Sequence, residues 1–282
     1  MVEDIIHSKD KKVFLKTLNQ KGFMLENRVW KIIKDNVSYH YLETRYPIQY
    51  KNIRDETVRG EIDLVFGMGN KNFILECKRT DFVWLFPKPV ERIKKFNLMY
   101  YDFRPNGGLK SKTQSTIDFK ITWNDIPFMF KSDSKRLFIK KVDGVDYVKT
   151  CRRDVHDHLI QVLKETDAFL STELFRTIKQ KKMMEIKELS GTNMIMNPNE
   201  LIIPMIVTNT ELYYLDYEES HLNSDGDLTD YTSIKAIDGI VYNFSDIPIN
   251  TTEKQIDSTR SIFITNVNQL KKFIHLILDQ DV

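Results

Sequence analysis

A chain of 282 residues that is 41% hydrophobic and 29% charged has the composition of a globular protein able to bury a sizeable core, in one large domain or two small ones. Its formal net charge of +2 excludes a bulk polycation. Two cysteines, Cys77 and Cys151, exclude both a disulfide framework and a CxxC metal knuckle.

Residues 9–20 carry Val13, Phe14, Leu15 and Leu18, the pattern of a short helix with Ser8 as its N-cap. After Gly22 a second helix is predicted over 23–35, with Leu25, Val29, Ile32 and Ile33 facing a core. Glu26 borders that face, where an acid can reach inward beneath a neighbouring sheet. Residues 39–50, rich in Tyr and Ile, predict one or two strands interrupted at Pro47. Two apolar runs follow, 60–66 and 73–79, joined by the turn chemistry of residues 67–72, and they read as a hairpin. Beyond Arg79 the pattern becomes irregular: a helix is predicted over 90–99, a turn at Asn106-Gly107-Gly108, and short strands up to about residue 149. Helices over 154–165 and 172–188 come next. Strands are predicted at 201–207, 212–215, 237–244 and 262–265, then a C-terminal helix with Asn268 as a candidate N-cap. The expected architecture is α/β, a central mixed sheet flanked by helices, with 1–80 and 151–282 building the core and 81–150 inserted between them.

Charge is distributed unevenly. Residues 88–153 hold sixteen Lys/Arg against seven Asp/Glu, whereas 209–234 hold seven acids and no Lys or Arg. Such asymmetry fits one basic face for a polyanion and an acidic face elsewhere. The opening Met1-Val2-Glu3-Asp4 lacks a basic-then-apolar leader. The apolar run 201–207 is broken by Pro204 and is too short to cross a bilayer. The expectation is a soluble, cytoplasmic protein.

The hairpin holds the unusual chemistry. Asp63, Glu76 and Lys78 lie inside otherwise apolar strands, where isolated charges are costly unless paired or metal-bound. Alternation puts Glu76 and Lys78 on one face and Leu75 and Cys77 on the other, with Asp63 beside the pair if the register permits. Two carboxylates there suit a hard cation such as Mg²⁺ or Mn²⁺ rather than zinc, and an ammonium beside them can orient water or stabilise charge on a phosphate.

Gly60-Glu61-Ile62-Asp63, followed by Glu76-Cys77-Lys78 and preceded by the helix segment 22–29 with Glu26, resembles the PD-(D/E)xK phosphodiesterase superfamily and its restriction-endonuclease-like fold. The resemblance covers residues 9–80 and looks closest to the Mrr-like and Holliday-junction-resolvase-like branches. Ile62 stands where the motif's name has proline. The resemblance implies Asp63, Glu76 and the Cys77 backbone carbonyl as ligands of Mg²⁺ or Mn²⁺, Lys78 as the catalytic lysine and Glu26 as the accessory acid of the metal site. It further implies a nuclease that hydrolyses DNA phosphodiesters to leave a 5′-phosphate, a role in prokaryotic restriction or defence, and a homodimer, with a partner subunit or activator also open. Two alternatives stand beside this. One is a nuclease of the same superfamily acting on branched DNA or RNA. The other is a catalytically silent fold that binds DNA or protein.

Rival motifs carry less. His156 and His158, two apart on a helix, diverge by about 200°. The stretch 223–227 has Leu228 where a calcium loop needs glycine. No phosphate-binding Gly-x₄-Gly-Lys loop and no Gly-x-Ser-x-Gly elbow is present.

Overall fold

The computed structural model describes residues 22–51, 56–80, 82–88, 152–189, 199–244 and 260–279, short strands between 96 and 147, and positions Val13 and Leu15. The helix expected over 9–20 therefore lies almost wholly outside the described residues; Val13 and Leu15 are helical. In chain order the elements are α1 (Phe23–Asn36), β1 (Tyr41–Lys51), β2 (Thr57–Met68), β3 (Lys71–Lys78), β4 (Phe82–Pro87), β5 (Phe96–Asp102) and β6 (Leu109–Gln114). The short strands β7 (Thr122–Trp123), β8 (Phe128–Lys131), β9 (Lys140–Val142) and β10 (Val145–Tyr147) lead to α2 (Arg152–Phe169) and α3 (Glu173–Leu189). The chain continues through β11 (Asn199–Thr208), β12 (Leu212–Asp216), β13 (Ser233–Ile237), β14 (Gly239–Phe244), β15 (Arg260–Asn266) and α4 (Leu270–Leu278).

Among the described residues the main sheet has nine strands. Its central run is β1-β2-β3-β11-β15-β14-β7, and β5 and β6 join through β11. The pairs β3–β11 and β11–β15 are parallel, whereas β1–β2, β2–β3 and β14–β15 are antiparallel. A smaller sheet runs β13-β12-β4-β8. The protein is thus mixed α/β, with a mixed sheet flanked by helices. Residues 81–150, read from the sequence as an insertion, contribute strands to both of these sheets and form a separate β9–β10 pair.

One face of the main sheet packs under α1 and α4. Leu25, Val29 and Ile33 at helical spacing meet Leu64, Phe66, Phe73 and Leu75 of the hairpin and Phe273, Ile274 and Ile277 of α4. Each fully buried side chain of this kind contributes about 1.5–3 kcal/mol. The other face carries α2, whose Val155, Leu159, Val162 and Leu163 sit between Ile206, Ile262 and Ile264 of the main sheet and Trp84, Phe86 and Leu212 of the smaller one. Beside it, Phe169 and Phe175 close over Ile62, Val65 and Ile74. Among the described residues no helix is long and apolar enough to cross a membrane.

Three local readings are corrected. Phe96 onward is a strand, not the end of a helix over 90–99, because its aromatic run pairs antiparallel with the first residues of β11. Pro47 does not break the first strand: β1 is the edge of the sheet, where proline is tolerated. Asn268 does not cap α4. Gln269 occupies the cap position without a side-chain bond, while Asn268 Oδ1 accepts a hydrogen bond from Arg28 Nη2 at 2.7 Å.

The irregularity in β1 lies at Arg45, whose φ of 50° falls in the left-handed region that L-residues rarely adopt. Its effect spreads to the next strand. Tyr41 packs against the α3 side and Leu42 against the α1 side, yet Tyr46, Ile48 and Tyr50 all pack on the α3 side. The even positions have changed face. In β2, Ile62 faces α3 while Leu64 and Phe66 face α1, so the same change occurs at Asp63. Arg45 and Asp63 are opposite one another by extrapolation, and both drop out of the ladder between Thr44↔Leu64 and Tyr46↔Ile62. This paired phase change lifts Asp63 out of the regular pleat.

Candidate functional site

The β2–β3 ladder runs from Met68↔Lys71 to Leu64↔Leu75 and stops. The next pair would be Asp63 with Glu76. β3 remains paired on its other side with β11 as far as Lys78↔Thr208, so only the β2 side opens. Asp63 fills part of that opening: its Oδ2 accepts the Cys77 backbone N–H at 2.7 Å. The N–H and C=O of one residue leave an extended strand on the same side, so the Cys77 carbonyl faces the same gap. The Cys77 side chain belongs to the core under α1, and burial, followed by the charges of Asp63 and Glu76, pushes its thiol up. A thiol held in that state is a core side chain, not a nucleophile.

Glu76 and Lys78 point together to the α2 side, as strand alternation requires. They form an ion pair, with the Glu76 side chain 4% exposed and that of Lys78 16%. The Lys78 ammonium donates to Gln161 Oε1 at 2.9 Å, and Gln161 Nε2 donates to Glu165 Oε1 at 2.8 Å. Gln161 and Glu165 are one turn apart on α2, so both face the opening. Glu165 lies close enough to Glu76 for their charges to interact. Burial first, and then the Glu76 charge, push its carboxyl up to about 10. Asp63 is pushed up to about 7 by burial and by Glu76, against the lowering effect of the Cys77 N–H.

Glu26 approaches from the opposite face. Its Oε2 accepts from Arg45 Nη2 at 3.1 Å and from Nε at 3.3 Å, and the same guanidinium lies 4.9 Å from the Phe23 ring. Glu26, Asp63, Arg45, Phe23 and Trp30 line a cleft of about 360 Å³. The structure therefore brings the other three expected positions, Glu26, Glu76 and Lys78, into electrostatic range of Asp63, with Glu26 and Glu76 on its two sides. Arg45, Gln161 and Glu165 are additions that the sequence pattern does not single out. The signal for the last two is a polar pair at i, i+4 on an otherwise apolar helix face.

The oxygen-only donor set suits Mg²⁺ or Mn²⁺, and the buried Glu76 Oε2 meets no hydrogen-bond donor. By chemistry the residues fit a hard divalent cation. Among the described residues no three His, Cys, Asp or Glu side chains converge as a ready cage; Lys78 and Arg45 neutralise Glu76 and Glu26 instead.

No family model, no curated protein and no solved structure matches the chain. The site stands on its own geometry.

The remaining sequence motifs resolve into ordinary structure. His158 stacks on Trp84 with ring centroids 6.5 Å apart. Asn223 Oδ1 accepts the N–H groups of Asp225 and Asp227, making a closed, exposed turn. Apart from Lys88, which pairs with Asp216 at 3.0 Å, the side chains of the basic stretch 88–153 and Cys151 lie outside the described residues.

Proposed function

We propose that the chain is a divalent-metal-dependent nuclease with a restriction-endonuclease-like core, hydrolysing DNA phosphodiester bonds. The observation that carries this reading is the opening of the β2–β3 ladder one pair before Asp63 and Glu76. It gathers two carboxylates, a backbone carbonyl and one buried ammonium at the end of a hairpin. Asp63, Glu76 and the Cys77 carbonyl would hold Mg²⁺ or Mn²⁺, with Glu26 as an accessory acid. Such an ion supplies Lewis-acid polarisation of a phosphoryl oxygen and a more acidic water.

The protein's own side chains do the rest. Lys78 presents its ammonium to the non-bridging oxygens, where negative charge grows as the phosphate is attacked. Gln161 accepts one of its protons and Glu76 another, so the ammonium is fixed before substrate arrives. Asp63 is fixed by the Cys77 N–H and turns its other oxygen free. Arg45, exposed at the cleft mouth, can exchange Glu26 for a backbone phosphate, as guanidinium groups commonly do.

The test incubates purified protein with supercoiled plasmid, linear duplex, single strands, four-way junctions and RNA, in Mg²⁺, Mn²⁺ or EDTA, beside Asp63→Ala and Lys78→Ala. Cutting by the wild type that both substitutions and EDTA abolish supports the reading. Equal cutting by all three proteins would sink it. Preferred cutting of junctions or RNA would move the substrate, and binding without cutting would favour a silent module.

A further inference from the structure

Glu165 lies on the α2 side of the sheet, 3% exposed, against an equally buried Glu76. Its Oε1 accepts from Gln161, but neither Glu165 Oε2 nor Glu76 Oε2 meets a hydrogen-bond donor. Two buried carboxylates whose charges interact repel unless a proton or a cation offsets them. The surrounding charge favours the cation. Among the described residues, the four carboxylates of Glu26, Asp63, Glu76 and Glu165 are accompanied by two cations, Arg45 and Lys78. With all four ionised the excess is two negative charges, which one divalent ion cancels; without the ion, protons on Glu165 and Asp63 take its place.

We propose that Glu165 is a direct ligand of the divalent cation, shared with Glu76 on the α2 side of the sheet. This rests on the nuclease reading and changes which helix completes the site: α2 supplies the carboxylate, and Glu26 across the gap is held by Arg45. Gln161 then has a defined task. By bridging Lys78 and Glu165 it fixes the lysine relative to the cation.

The experiment titrates the 282-residue chain with Mn²⁺, following the free-Mn²⁺ electron paramagnetic resonance signal and the melting temperature. Wild type, Glu165→Gln and Asp63→Asn are compared. Glutamine keeps the shape and gives Glu76 Oε2 a donor, so the metal-free protein should melt no lower than wild type. Its Mn²⁺ affinity is expected to fall at least about tenfold, and its Mn²⁺-induced rise in melting temperature to vanish. Wild-type affinity in Glu165→Gln, with loss in Asp63→Asn, overturns the assignment and leaves the nuclease reading standing: the two glutamates then share only a proton. Absence of Mn²⁺ binding by the wild type overturns both. Should Glu165→Gln fail to fold, Glu165→Asp enters the same titration, where weakened binding supports the ligand and unchanged binding refutes it.

Discussion

One face of β3 carries two buried polar clusters, about 13 Å apart along the strand, and they are built on opposite principles. At one end Asn72 Oδ1 accepts from the Tyr41 hydroxyl at 2.7 Å, and Asn72 Nδ2 donates to Glu200 Oε2 at 2.8 Å. Glu200 Oε1 is held by Lys182 of α3 at 3.3 Å. Gly67 makes this possible, since a Cβ there would collide with the Tyr41 ring. Glu200 and Asn72 leave no buried side-chain oxygen or nitrogen without a partner. At the other end, Glu76 and Glu165 each leave one, and two carboxyls are pushed well above their ordinary range. The closed cluster locks α3 and β11 to the hairpin. The open one costs stability, and proteins keep such arrangements where chemistry needs them.

The comparison breaks most sharply in activity. If the nuclease reading holds, Lys78→Ala lowers the initial rate of Mg²⁺-dependent plasmid cutting by about 10²–10³-fold. Lys182→Ala, an equally buried lysine at the closed end, changes it only through the fraction of protein that is folded. In stability the order reverses. Glu200→Ala strands Lys182 and takes one of two acceptors from Asn72 Nδ2, and is expected to cost about 3–5 kcal/mol in urea unfolding. Glu165→Gln without metal removes an unmet acceptor and is expected to cost nothing.

A third contrast is in pH. Asp63 and Glu165 bind their protons more tightly in the folded chain than in the unfolded one, so folding takes up protons over the interval between the two values. The contribution of these two groups to metal-free stability is therefore greatest below about pH 4 and declines as pH rises, that of Asp63 up to about 7 and that of Glu165 up to about 10. Melting temperatures in EDTA should fall between about pH 5 and 9, with Glu165→Gln flattening the part above about pH 7. Tyr41, by contrast, is pushed up by burial and by Glu200, away from neutrality. The smallest effect is expected at Arg45. Arg45→Gly relieves about 1 kcal/mol of left-handed strain while losing a half-exposed ion pair worth at most about the same. Arg45→Val keeps the strain, adds a β-branch and melts lower.

Much of this was legible from residues alone. Apolar spacing marks α1, α2, α3 and the central strands because each buries a continuous stripe. Asp63, Glu76 and Lys78 stand out because charge inside an apolar strand requires a partner. Residues 96–99 read as helix because a short apolar run carries no period of its own and takes its state from β11. Arg45 was invisible: nothing in Glu43-Thr44-Arg45-Tyr46 announces a left-handed residue, and the phase change at Asp63 depends on it. Gln161 and Glu165 were hidden by distance, since only the packing of α2 brings them to β3, eighty-odd positions earlier in the chain.

That distance also sets the order in which the site can assemble. β1, β2 and β3 are sequence neighbours, so their meander, with the Asp63–Cys77 bond, closes only short loops. β11 reaches β3 across 130 positions, as at Lys78↔Thr208, and such non-local pairing is slow. α2 packs against Ile206, Ile262 and Ile264, surfaces that exist only once β11 and β15 are in place. Glu165 thus arrives after the Asp63–Cys77 bond, and its repulsion enters in the step that also closes the core over α2. In reverse, the backbone amides of α2 are expected to exchange with solvent before those of β3 when the metal-free protein opens. A bound divalent ion would slow that exchange.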